Sequence, residues 1–178
     1  MLPRVSVFSL GGTIAMGAAA PGKGVSLSHT AEMLVAAVPA LADIAEIEAH
    51  SFRQLASPDI TLDDLEALAR EINQRLGDGV RGIVVTQGTD TLEESAFVID
   101  RLVQHDAPVV FTGAMRNPTM AGPDGPANLY HAVLVALDQQ TRGIGTLVVM
   151  NDEIHAARYV QKMHTTSPAA FHSSPAGA

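Results

Sequence analysis

Four side chains in this sequence are candidates for nucleophilic chemistry: the hydroxyls of Thr13 and Thr89, with Asp90 and Lys162 as their candidate partners. A threonine hydroxyl ionises far above neutral pH, so as a nucleophile it needs a base, commonly a histidine, lysine or carboxylate. Thr13 stands in "SLGGTIAMG" (9–17), directly behind two glycines. Paired glycines permit positive φ and close approach of the backbone to a ligand. Three readings compete there: a strand-ending turn, a phosphate cradle, or the seat of a nucleophile. The cradle is disfavoured, because Gly11, Gly12 and Gly17 do not give G-x-G-x-x-G and no G-K-S/T follows.

Thr89 and Asp90 stand in "TQGTDTLEE" (86–94). Here Thr91 with Glu94 predicts a capping box, and Asp90 suits the start of a helix electrostatically. Thr89 is expected at a strand's C-terminal lip, where backbone N–H groups of the next helix face a developing oxyanion. Lys162 lies in "MNDEIHAARYVQKMHTT", a polar segment able to fold back over such a lip, although composition alone favours a solvated surface lysine. A third segment, "FTGAMRNPTMAGPDGPANLY", opens a loop at Gly113 and Ala114 whose backbone can bind a substrate amide; "PDGP" marks a turn and helix entry. The 7 histidines show no H-x-x-x-H spacing, so no metal site is expected. His155 and His164 can border the cleft but take no assigned role.

The elements that must position these residues alternate. Strands are predicted at 4–10, 44–52, 81–86, 107–113 and 145–150. Helices are predicted at 28–38, 61–77, 91–104 and 125–140. The clearest is 61–77, with Leu65, Leu68, Ala69, Ile72 and Leu76 on one stripe, Thr61 and Asp64 as a capping box and Gly77 as the stop. Such alternation predicts an α/β fold: a doubly wound, mostly parallel sheet with helices on both faces. Ligands of such sheets bind beyond the C-terminal strand ends, which selects 9–17, 86–91, 112–126 and 150–165. Residues 1–165 are expected as one domain. The Ser/Pro/Ala-rich residues 166–178 are expected as a linker or tail.

Composition narrows the classes further. The 178 residues carry a formal net charge of −8, which disfavours a nucleic-acid partner. The sequence has no cysteine, so it has neither disulfides nor thiolate metal sites. No apolar run approaches the ~20 residues of a membrane-spanning helix, and the N-terminus lacks a signal-peptide layout, so a cytoplasmic protein is expected.

Taken in order, "GGTIA", "AVPAL", "TQGTDTLEE", "PVVFTGAMR", "DGPANLY" and "VVMND" resemble the N-terminal domain of the bacterial-type L-asparaginases, over nearly the whole chain. The resemblance implies hydrolysis of asparagine to aspartate and ammonia, often with some glutaminase activity and with no cofactor. It implies Thr13 as the nucleophile candidate, and Thr89, Asp90 and Lys162 as the group that activates water or hydroxyl, with Asp90 also holding the substrate ammonium; whether Thr13 or Thr89 attacks first stays open at this point. Ser57 matches the serine that binds the substrate carboxylate, and Ala114 the residue whose carbonyl receives the amide NH₂. Gly12 and Gly88 bring the backbone close to the substrate. Three departures stand out. Residues 14–40 lack the tyrosine that the family carries after "GGTIA". Pro58 replaces a common polar side chain. The family's C-terminal domain, which gives a glutamate to a neighbour's site, is not in this sequence, as in short-chain asparaginases. A homodimer or homotetramer is expected. Two other readings stand beside the hydrolase: an isolated domain that binds aspartate or acts in assembly without turnover, and a glutaminase or tRNA-linked amidotransferase subunit.

Overall fold

The computed structural model describes residues 1–18 and 25–173. Its frame is a six-stranded sheet. Five strands are parallel: β1 (Arg4–Gly11), β4 (Glu46–Leu55), β5 (Gly82–Thr86), β6 (Val109–Thr112) and β7 (Thr146–Met150). The sixth, β8 (Glu153–Ala156), runs antiparallel to β7 at the edge. Two short ladders stand apart. One is β2 (Met16–Ala18) with β3 (Val25–Leu27), and the other is β9 (Gln161–Lys162) with β10 (Phe171–His172). The helices are α1 (Ala31–Ala36), α2 (Leu62–Gly77), α3 (Leu92–Leu102) and α4 (Gly125–Leu137).

The apolar runs become strands covered on both faces, as parallel strands require. Phe8, Leu10, Ile83, Val85, Val109 and Phe111 point to a core shared with α2 and α3. Val5, Val7, Val84, Val110 and Val149 point to the opposite core, shared with α1 and α4. The doubly wound sheet is therefore present.

The strand order β4-β1-β5-β6-β7 reverses direction between β1 and β5. In open α/β sheets that switch point opens a crevice at the carboxyl ends. The crossover hands also follow from this order. From β4 to β6, α2 and α3 carry the chain across one face. From β1 back to β4, α1 carries it the other way across the other face, which is the same hand. From β6 to β7, α4 moves in the direction of α3 but on the face of α1, so its crossover has the opposite hand. Right-handed crossovers are the rule in about 98% of cases, so β6–α4–β7 is the left-handed one.

Several boundaries differ from the sequence expectation. The helix expected at 28–38 shortens to Ala31–Ala36, and a 3₁₀ segment from Pro39 follows it. The helix expected to reach 140 stops at Leu137, ahead of a separate turn at Gln139–Thr141. The capping box at Thr61–Asp64 forms. The one expected at Thr91–Glu94 does not, because the Thr91 hydroxyl is engaged by tertiary partners instead. Part of the stretch expected as a tail is built into the domain: β10 pairs with β9, and Ala170 and Phe171 are buried. Residues 174–178 of that stretch lie outside the described residues, as do residues 19–24 of the loop following Thr13.

Candidate active site

The carboxyl ends of adjacent strands deliver the site residues in the order of the sheet. Beyond β4, a 3₁₀ turn presents Ser57. Beyond β1 come Gly12 and Thr13, beyond β5 come Gly88, Thr89 and Asp90, and beyond β6 comes Ala114. Lys162 arrives from β9. All eight line one open cleft of about 240 Å³, together with Met16, Pro58, Met115 and Thr165. Every residue singled out for the site is thus brought to the same place. A second, apolar cavity of about 120 Å³ lies behind Ile14 and Ala114 and contains none of the four reactive side chains.

The β1 and β5 lips touch backbone to backbone. Gly12 has φ 82°, and a Cβ built on it would fall 2.1 Å from Gly88 N. At Gly88 the obstacle is Ser57, whose Oγ would lie 2.9 Å from an added Cβ. No other residue type fits this three-way junction without displacing backbone. It sets Thr13 and Thr89 as the first side chains beyond the glycines.

Lys162 is the charged centre of the cleft. Its Nζ donates to Thr89 Oγ1 at 2.8 Å and to Asp90 Oδ1 at 2.5 Å. The lysine side chain is only 12% exposed, whereas that of Asp90 is 69% exposed, so this is no solvated surface lysine. Its backbone N–H donates to the Glu93 carboxylate in the first turn of α3. An ammonium that donates to a threonine oxygen stabilises negative charge on it, and the adjoining carboxylate holds the ammonium in place.

Around this pair the polar groups are stitched together. Ser57 Oγ accepts from Asp90 N–H at 3.2 Å, which leaves its own proton available to an anion. Thr91 Oγ1 donates to Ser57 O at 2.8 Å and accepts from the buried Gln87 Nε2 at 3.3 Å. These bonds tie the β4 turn to the β5 lip and account for the missing capping box. At β6, both Asp124 carboxylate oxygens accept backbone N–H groups, from Met115 at 3.0 Å and Arg116 at 2.9 Å. They fix the loop next to Ala114. Buried Asn128 joins the β6 and β7 lips, donating to Gly113 O at 3.0 Å and accepting from Asn151 N at 3.1 Å.

Sequence reasoning did not single out Gln87, Glu93, Asn128 or Thr165. All four lie inside stretches quoted for other reasons: Gln87 and Glu93 in "TQGTDTLEE", Asn128 in "DGPANLY" and Thr165 in "MNDEIHAARYVQKMHTT". Of the two histidines expected to border the cleft, His164 lies in the turn next to Lys162, where its Nδ1 accepts from Thr166 N and Ser167 N. His155 is buried within β8 and does not line the cleft. Among the described residues, no group of three or more ligating side chains is placed to hold a metal, and neither Tyr130 nor Tyr159 lines the cleft.

Fold and cleft together define a class: a doubly wound α/β domain whose switch point joins two threonines to a lysine–aspartate pair. Within that class the chain belongs to the asparaginase family, matching "Asparaginase, N-terminal" over residues 4–178. It is 43% identical over 182 aligned residues to L-asparaginase 2 of Bacillus subtilis, covering 99% of this chain and 48% of the relative. It is 41% identical to L-asparaginase 2 of Escherichia coli, covering 97% and 50%. A glutaminase-asparaginase of Pseudomonas fluorescens is also 41% identical, covering 97% and 49%. A crystal structure of a probable cytoplasmic L-asparaginase from Campylobacter jejuni superimposes with a TM-score of 0.88 at 34% identity, covering 96% of this chain and 51% of that one. The chain therefore spans about half the length of the relatives it matches. Among the described residues no helix is long and apolar enough to cross a membrane.

Proposed function

We propose that this domain hydrolyses the side-chain amide of L-asparagine to give L-aspartate and ammonia. The single observation carrying the reading is the Thr89–Lys162–Asp90 group in the cleft that also holds Thr13. In this reading the substrate carboxylate rests on the Ser57 hydroxyl and the β5 lip, and its ammonium on Asp90. The amide NH₂ donates to the Ala114 carbonyl. The Thr13 oxygen attacks the amide carbon, and its proton passes to the amide nitrogen. The carbon–nitrogen bond then breaks, the nitrogen leaves as ammonia, and an aspartyl ester remains on Thr13. Water beside Thr89 attacks this ester; one proton of the water returns to Thr13, and aspartate departs. Lys162 lowers the cost of negative charge on the Thr89 oxygen during these transfers.

A second reading, glutamine as substrate, draws support from relatives that carry both activities in their names. The cytoplasm is the proposed location, supported by the name of the Campylobacter neighbour, although a relative from Haemophilus influenzae is named as periplasmic.

The test is ammonia release from asparagine and glutamine by the native chain, Thr13→Ala and Thr89→Val. Each variant is expected to lose about 10²–10³ of the rate, the scale of removing one stabilising group from a polar site. No release above background from either amide by the native chain overturns hydrolysis. Aspartate binding measured calorimetrically on the same sample would then favour a non-catalytic binding domain. Light scattering on that sample tests the proposed homo-oligomer, which a monomer at micromolar concentration would exclude.

A further inference from the structure

We propose that His155 and Ser173 form a clasp that positions Lys162 in the cleft. The inference rests on the reading of Lys162 as part of the hydrolytic group. His155 sits on the edge strand β8, opposite Val148 of β7, with its ring only 1% exposed. Its Nδ1 shares a hydrogen bond of 2.8 Å with Ser173 Oγ, itself buried. Directly before Ser173 runs β10, whose Phe171 lies opposite Lys162 in the ladder with β9. Met163 N–H also donates to Ala170 O at 2.7 Å. A continuous path therefore leads from the sheet edge through Ser173 and β10 to the backbone that carries the cleft amine.

The ladder needs such support. Two strands of two residues each are far below the size at which a hairpin holds itself together. Phe171 and Ala170 anchor it by burial beside Ala157 and Val160. Among the described residues, one side-chain hydrogen bond joins β10 and the residue after it to the main sheet, that between Ser173 and His155. That ring is kept at a cost, since its Nε2 is buried and has no hydrogen-bond partner among the described residues. An apolar residue would pack there without this cost but could not hold Ser173.

The clasp also carries a pH dependence. The charges acting on the ring are Glu153 on β8, whose Oε2 lies 3.5 Å from Nε2, and His172 on β10; β7 presents only Val148. Burial holds the His155 imidazole below its ordinary value of 6.5 and outweighs the attraction of Glu153. A released ring regains the ordinary value. The clasp is therefore fully closed above that value and loosens as pH falls through it, because opening lets the ring take up a proton.

The experiment compares the native chain with Ser173→Ala and His155→Asn by amide hydrogen exchange, corrected for intrinsic rates, from pH 8 to pH 5, alongside ammonia release. Ser173→Ala is expected to speed exchange at Lys162 and Met163 about tenfold, the scale of one buried hydrogen bond, with β1 and β5 unchanged. It should lower kcat while leaving KM for asparagine nearly constant. His155→Asn, which keeps a polar group facing Ser173, should restore protection and abolish its loss at low pH. Unchanged exchange at Lys162 and Met163 in Ser173→Ala overturns the clasp. Faster exchange with an unchanged kcat overturns its link to Lys162. If the native chain hydrolyses nothing, the functional reading fails separately, and the exchange data alone decide whether the contact positions Lys162.

Discussion

The cleft is assembled from two regions built on opposite principles. At the β1 and β5 lips, Thr13 and Thr89 extend from long buried strands that meet through bare backbone. Across the cleft, Lys162 hangs on a two-residue ladder fastened by a few side-chain bonds. The first region draws its rigidity from parallel pairing and two hydrophobic cores. The second draws it from the burial of Ala170 and Phe171 and from a few polar contacts. Hydroxyls whose placement must be fixed sit where the fold cannot yield, and the amine sits where local opening costs little.

The contrast breaks most severely at Gly12. Gly12→Ala combines positive φ with a Cβ that would fall 2.1 Å from Gly88 N, so it is expected to cost about 4 kcal/mol or to prevent folding. Urea denaturation measures this, and a loss below about 1 kcal/mol would show that the lips are not in backbone contact. Asn128→Leu comes next. It strips partners from Gly113 O and Asn151 N while leaving the ladder alone. The expected cost is about 2 kcal/mol, with exchange at Lys162 unchanged. Accelerated exchange there would mean that the two regions are not independent.

The smallest effect, at Asp64, separates them by pH. Bonds from Arg53 and Thr61 hold the Asp64 carboxyl down at about 2 against an ordinary 3.8. Its contribution is therefore present above the ordinary value and lost as pH falls toward the lowered one. Asp64→Asn should remove about 1 kcal/mol near neutral pH, the worth of a helix cap, and flatten the acid decline between those two values. Acid titration followed by circular dichroism checks this. The clasp at His155 loosens at distinctly higher pH, so an identical midpoint for both events would erase the distinction.

How far the sequence carried this picture follows the reach of each interaction. Apolar runs and helical stripes are local, and they placed the five parallel strands, α2 and its cap within a few residues. Thr13, Thr89, Asp90 and Ala114 were legible because each follows a strand end, and strand ends must converge; Ser57 was legible only through the family resemblance. Lys162 was legible as a candidate base in the polar segment after the last parallel strand, but composition alone favours a surface lysine, and the family resemblance decided between the two. Thr91 misled because a local cap and a distant carbonyl compete for one hydroxyl, and Ser57 O wins. Phe171 was missed because one aromatic residue amid serine, proline and alanine gives no periodicity. Asn128 acts across strands, where sequence spacing carries no signal, and Gln87 was passed over although its partners Thr91 and Ser95 follow it in the next helix turns.

Lys162 reaches Thr89 across 73 positions of chain. As the polypeptide emerges from the ribosome, the strands that bear both hydroxyls have been made well before their amine exists. A growing chain can therefore pair the strands that carry both hydroxyls before the amine that bonds to one of them has been added.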